Sequence, residues 1–158
     1  MNDSKKLTER RRRELLGEIL RLCQSSGIGL VEPGEIDAMG MTRAVRTAFR
    51  RAADSLDPGV DLFLVDGLPV RGLERGFRYI VRGDSRSLCI AAASILAKVS
   101  RDRMMIEAEA EYPGYDFAAN KGYGTPGHME AIRRMGPCPI HRMSFSPMRM
   151  DPQLRLGL

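Results

Sequence analysis

The chain has 158 residues, 25 basic against 20 acidic for a formal net charge of +5, with 43% hydrophobic and 28% charged residues. That length and apolar content suit one folded domain and disfavour disorder, because buried apolar surface can offset the entropy of ordering. A membrane-spanning helix is excluded, since the longest uncharged stretch, around Leu88–Ala97, ends at Lys98, well short of the ~18 residues needed. In chain order, Thr8 is placed to cap a first helix, whose Leu15, Leu16, Ile19, Leu20 and Leu22 fall at helical spacing up to Gly27. A short strand-like run, Ile28–Val31, ends at Glu32-Pro33-Gly34. Residues 35–56 read as one helix, with Ile36, Met39, Val45, Ala48, Phe49 and Ala52 as its buried stripe and Asp57-Pro58-Gly59 as its stop. Val60–Asp66 (VDLFLVD) is almost continuously apolar, as a strand covered on both faces would be. Phe77–Arg82 alternates like a second strand and stops at Gly83.

The second half reads as mostly helical. Ser85 or Ser87 can cap a helix over Leu88–Glu111, whose small apolar opening run suits tight packing on a sheet, and Tyr112-Pro113-Gly114 breaks it. A loop rich in Gly, Asn and aromatics runs to Gly124. Thr125-Pro126 then opens a last helix to Met135, with Pro at its first position. The proline-rich stretch from Gly136 reads as irregular. The pattern is one α/β domain without repeats or an internal linker.

Asp66 and Asp84 each stand where a strand-like run meets glycine. In α/β sheets functional groups gather beyond strand ends, and two carboxylates there can hold a hard divalent cation such as Mg²⁺. Asp-Gly and Gly-Asp are also ordinary turn chemistry, and spacing alone favours that reading. Gly122–Gly127 satisfies G-x-G-x-x-G, but a polar loop precedes it where a dinucleotide site needs a strand. It reads instead as a loop presenting Lys121 and Tyr123 to phosphate and sugar, or as structural glycines beside a solvent-facing aromatic. His128 and His141 are too few and too separated for zinc, and His128 reads as a packing or surface residue. Cys23, Cys89 and Cys138 lack metal spacing and read as free thiols of a reducing cytoplasm. Ser94 has no evident His partner for a nucleophilic role, Arg101 and Asp102 read as pairing or capping structurally, and the helical methionines read as core filler. The cluster Lys5, Lys6, Arg10, Arg11, Arg12 and Arg13 is dense enough to track phosphates.

Five stretches together resemble ribonuclease HII, the type 2 ribonuclease H family. They are NDSKKLTERRR at Asn2–Arg12, LFLVDG at Leu62–Gly67, VRGDSRSLCIAAASILAKVSRDR at Val81–Arg103, YPGYDFAANKGYGTPGH at Tyr112–His128 and GPCPIHRMSFSP at Gly136–Pro147. The resemblance implies an RNase H-like α/β fold, a mixed sheet flanked by helices. It implies endonucleolytic cleavage of the RNA strand of RNA–DNA hybrids, single ribonucleotides in duplex DNA included, leaving 5′-phosphate and 3′-hydroxyl ends. Two ions, Mg²⁺ or Mn²⁺, would be held by four carboxylates. Asp66 matches the third and Asp84 the fourth, as catalytic and metal-binding groups. Ser4, Lys5 and Lys6 match a segment near substrate phosphates, Lys121 lies in the KGYGT match, and Tyr123 matches a tyrosine stacking on the sugar at the RNA–DNA junction.

The family's Asp-Glu-Ala-Gly-Arg-Gly strand, which carries the first two carboxylates, has no counterpart in these residues, and no Asp-Glu dipeptide occurs. Asn120 stands where the family commonly has histidine. The resulting expectations are an N-terminally truncated RNase HII-like domain over residues 1–147, lacking N-terminal strands, and a C-terminal tail over 148–158. A cytoplasmic monomer is expected, inactive or impaired in cleavage. The alternatives are a non-catalytic hybrid-binding module and an unstable remnant prone to aggregation.

Overall fold

The computed structural model describes residues 7–56, 59–73 and 76–150. In order they form α1 (Glu9–Leu22), α2 (Pro33–Met39), α3 (Met41–Asp54), β1 (Phe63–Asp66), β2 (Phe77–Ile80), α4 (Gly83–Arg86), α5 (Leu88–Glu111), α6 (Phe117–Asn120) and α7 (Pro126–Met135). The chain divides into two compact units, Met1–Leu30 with Thr42–Val99, and Val31–Met41 with Ser100–Leu158.

In the first unit Thr8 caps α1 as expected, its hydroxyl accepting from the Arg11 N–H at 3.3 Å. The helix stops at Leu22, short of Gly27, and none of its residues is fully buried. Its basic side chains are partly engaged at home: Arg10 and Arg11 reach Glu14, and Arg13 reaches Glu9. Such exposed pairs add little stability.

Ile28–Val31 forms no strand. The extended chain lies against α3 at Gly27 and Gly29, and Arg51 of α3 donates to the Leu30 carbonyl at 2.6 Å. The single helix read over residues 35–56 is two. Gly40, at φ +80°, ends α2 and turns the chain into α3, a conformation that glycine adopts without strain. Of the helical stripe only Ala44, outside the expected set, is fully buried.

β1 and β2 pair in parallel, in the register Phe63↔Phe77 to Asp66↔Ile80, and the two phenylalanine rings stack at 4.9 Å. This pair is the sheet of the described residues. β1 is shorter than Val60–Asp66 and is not covered on both faces: Val65 is buried, whereas Leu62 and Leu64 are exposed. Leu73, in the connection, is buried, and its carbonyl accepts from the Tyr79 hydroxyl at 2.7 Å. Ser87 opens α5, and Ile90, Ala91 and Ile95 are the buried face of its first half.

The second unit is built on Met105, Tyr115, Phe117, Ala131, Ile132, Cys138 and Met148. The stretch Tyr115–Lys121, read as a polar loop, is in fact anchored by this core. Tyr115 and Phe117 are buried and stacked at 5.3 Å, and residues 117–120 close the short helix α6. Thr125 caps α7 and Pro126 occupies its first turn, as the sequence indicates. Of the methionines read as core filler, Met105 is buried, while Met41 and Met104 are exposed.

His128 and His141, distant in sequence, stack at 5.4 Å with an interplanar angle of 13°, both buried. His141 Nδ1 lies 3.0 Å from the Cys138 backbone nitrogen and 3.2 Å from the Cys138 carbonyl oxygen, and its Nε2 is buried with no hydrogen-bond partner among the described residues. Burial lowers the His141 pKa, His128 lowers it further, and a backbone contact at Cys138 opposes them. The folded unit therefore holds the neutral ring, while the unfolded chain takes up a proton below about pH 6.5. Stability is full above that pH and falls below it by up to about 1.4 kcal/mol per pH unit, until the folded pKa is reached. Melting temperature should drop on acidification from pH 7.5 to 5.5, and His141→Gln should flatten that drop. Equal slopes in both proteins would refute the assignment.

Candidate active site

Asp66 is the last residue of β1 and is exposed. Its Oδ1 accepts from the Gly83 backbone N–H at 2.6 Å, so the strand end is tied to the residue just before Asp84. Gly67, at φ +98°, turns the chain away after donating to the Ile80 carbonyl at 3.0 Å. On the other strand Arg82 takes the left-handed region, at φ 55°, and swings the chain into α4, whose first turn carries Asp84. Gly83 is buried, and a Cβ there would stand 2.5 Å from Ile90 Cδ1 and 3.3 Å from Asp66 Oδ1. Glycine is thus the residue that lets the two acidic positions approach. This contact ties Asp66, at the end of β1, to the residue before Asp84, which lies in the first turn of α4.

The donor set fits a hard divalent cation in kind. Asp66 uses one oxygen on Gly83, and among the described residues the Asp84 side chain has no hydrogen-bond partner, which leaves oxygens for an ion that keeps part of its water shell. In number the set is small: among the described residues no group of three or more His, Cys, Asp or Glu is placed to hold a metal.

Lys121 and Tyr123 belong to the second unit. Lys121 at φ 53° and Gly122 at φ 75° form a tight left-handed turn after α6, fixed by Asn120. That buried side chain donates to the Tyr115 carbonyl at 2.7 Å and accepts from the Gly122 N–H at 2.7 Å. Asparagine here supplies both a donor and an acceptor to hold the loop, a role that its polar neighbours in sequence do not betray. The Arg101 guanidinium donates to the Lys121 carbonyl at 3.3 Å. Lys121 Nζ folds back onto the Ala118 carbonyl, while Tyr123 presents its ring outward at 61% exposure. Ser4, Lys5 and Lys6 lie outside the described residues.

The sequence profile of the family described as Ribonuclease HII matches residues 1–148. Ribonuclease HII of Ruminiclostridium cellulolyticum is 47% identical over 145 residues, covering 92% of this chain and 57% of that protein. Ribonuclease HII of Pelobacter propionicus is 49% identical over 149 residues, covering 94% of this chain and 68% of that one. The chain thus spans between about half and three quarters of the length of the curated relatives it matches. In fold it is similar to the crystal structure of the ribonuclease H2 from Pyrococcus horikoshii OT3, with a TM-score of 0.80 and 24% identity, over 97% of this chain and 81% of that one. A match along nearly the whole chain, on the stretches that carry both acids and the tyrosine loop, makes this chain a member of the ribonuclease HII family.

Proposed function

We propose that this chain carries the third and fourth carboxylates and the sugar-contacting loop of a ribonuclease HII. Its substrate would be RNA–DNA hybrid or duplex DNA holding single ribonucleotides, cut to 5′-phosphate and 3′-hydroxyl ends. The observation that supports the reading is the Asp66–Gly83 hydrogen bond, which ties the end of β1 to the residue before Asp84. Asp66 and Asp84 would hold Mg²⁺ or Mn²⁺, which when bound supplies an activated water and compensates charge on the phosphate. Tyr123 would lay its exposed ring on a sugar, and the N-terminal Ser4, Lys5 and Lys6 would meet phosphates. With two carboxylates in place of four, the 158-residue polypeptide is expected to cut slowly or not at all while still binding hybrid.

Incubating the purified chain with Mg²⁺ or Mn²⁺ and a duplex carrying one ribonucleotide tests this. The expected result is salt-dependent binding, weakened by Tyr123→Ala, with cleavage near background. Efficient cleavage that Asp66→Asn abolishes would keep the carboxylate role and overturn the impaired-activity reading. Cleavage indifferent to Asp66→Asn would overturn the site itself. A chain that binds hybrid and takes up no metal favours the second reading, a non-catalytic hybrid-binding module, for which the outward Tyr123 ring is the supporting observation.

A further inference from the structure

Within the second unit, the exposed Tyr123 ring is carried by a turn whose backbone is strained. Lys121, at φ 53°, is one of three non-glycine residues at positive φ among the described residues, and Gly122 follows it at φ 75°. A lysine in the left-handed region stays there only where its surroundings over-determine it. Glycine bears no such cost, so the hold on this turn has to act around Lys121.

Asn120 supplies that hold. Its side chain is buried and bridges a fixed point to the turn: Nδ2 donates to the Tyr115 carbonyl at 2.7 Å, and Oδ1 accepts from the Gly122 N–H at 2.7 Å. The fixed point is firm, because Tyr115 is buried, stacked on Phe117, and its hydroxyl donates to the Gly136 carbonyl at 2.7 Å. A carbonyl on one side and an N–H on the other require a donor and an acceptor on one short side chain. Asparagine has both, whereas an ionised aspartate only accepts and leucine does neither. The Asn120 main-chain carbonyl also accepts from the Tyr123 N–H at 2.9 Å, and the Tyr123 carbonyl accepts from the N–H of Thr125, the cap of α7, at 2.8 Å. Arg101 reaches the Lys121 carbonyl in an exposed and longer contact, at 3.3 Å. Without the Asn120 amide the Gly122 N–H loses its acceptor, Lys121 relaxes towards negative φ, and the direction of the next side chain, Tyr123, changes with it.

We propose that Asn120 is a positioning residue: its amide locks the Lys121–Gly122 turn and so fixes the direction in which the Tyr123 ring is presented. That the ring meets the sugar of a hybrid rests on the proposed function; the lock itself does not.

Two measurements on the full chain, well below its melting temperature, test the lock. The chain has no tryptophan, so Tyr123→Trp places a single fluorescent reporter on the turn. Adding Asn120→Ala should enlarge the fast, nanosecond component of the reporter's anisotropy decay. An unchanged decay in folded protein overturns the proposal. With Tyr123 in place, hybrid affinity should fall about fivefold or more in Asn120→Ala, the loss of one aromatic contact. Added to Tyr123→Ala, the same substitution should cost less than about twofold, because the ring it aims is already gone. A residue that only stabilises the unit would lower the melting temperature and leave the decay unmoved, and equal affinity losses in both backgrounds overturn the positioning role. If Asn120→Ala does not fold, Gly122→Ala decides. It strains the same turn at φ 75°, and its Cβ meets only the Arg101 Nη2 at 3.2 Å and the Met105 Sδ at 3.4 Å, the ends of flexible side chains. It should move the decay and the affinity in the same directions, and an unmoved decay again overturns the proposal. If the decay responds to Asn120→Ala while Tyr123→Ala binds hybrid as the wild type does, or the wild type binds none, the lock stands and the sugar-contact reading fails.

Discussion

Phe117→Ala is expected to destabilise the second unit by about 3–5 kcal/mol, the range for removing a buried aromatic side chain and leaving its cavity. Phe117 is 1% exposed and sits at the centre of a ring cluster, 5.3 Å from both Tyr115 and His128 and 5.6 Å from His141. Against a typical domain stability of about 5–15 kcal/mol, the loss is a large fraction of the total. The backbone around it would be slower to yield. Glu109 accepts from the Phe117 N–H at 2.5 Å, and the Phe117 carbonyl accepts from the Lys121 N–H at 3.0 Å. The variant should therefore fold with a lower urea midpoint and an unchanged slope. Tyr123→Ala, six residues on, is the matched control: its exposed ring should cost no more than about 0.5 kcal/mol while weakening hybrid binding. A Phe117→Ala midpoint indistinguishable from that control would show that the core assignment is wrong.

The contrast between these two aromatics marks what a sequence can and cannot reveal. Both lie in one Gly- and Asn-containing stretch that composition presents as a loop, and nothing local separates the buried ring from the displayed one. Signals confined to a few residues were legible. Thr8 and Thr125-Pro126 announce helix starts because capping is satisfied within three residues. Asp66 was legible as a strand-end acid for the same local reason, whereas Asp84 falls in the first turn of α4, and the family pattern made the two a candidate site. What joins them, the Gly83 N–H on Asp66, spans seventeen residues and needs the parallel register of β1 and β2. The stacked His128 and His141 rings likewise depend on contacts across the unit. Periodicity also overran a break: residues 35–56 keep an apolar stripe, yet Gly40 divides them, because one residue at positive φ outweighs the pattern around it.

Gly29→Ala is the other substitution of large expected effect, and it explains why Ile28–Val31 is not a strand. A Cβ at Gly29 would stand 1.9 Å from the Ala48 carbonyl oxygen and 2.6 Å from the Ala52 nitrogen. Those atoms sit four residues apart on α3, where one carbonyl and one N–H form a rung of the helix ladder. The obstacle is therefore backbone, which cannot rotate aside, and the extended chain must lift off α3 to admit even a methyl group. Lifting it would also strain the bond from Arg51 to the Leu30 carbonyl. The expected cost is about 3 kcal/mol or more, at the upper end of overpacking effects. Gly27→Ala makes the comparison sharp. Its nearest obstacle is the Ser55 hydroxyl at 2.1 Å, a side chain able to turn away, although the Ala52 carbonyl at 2.8 Å remains. Gly27→Ala should therefore be the milder of the two in chemical denaturation. If the order reverses, or if Gly29→Ala unfolds with the wild type, the close seating of this segment on α3 is wrong. Apolar alternation at Ile28–Val31 invites a sheet reading, but the glycines let the backbone itself press on a helix, and that contact takes the place of strand pairing.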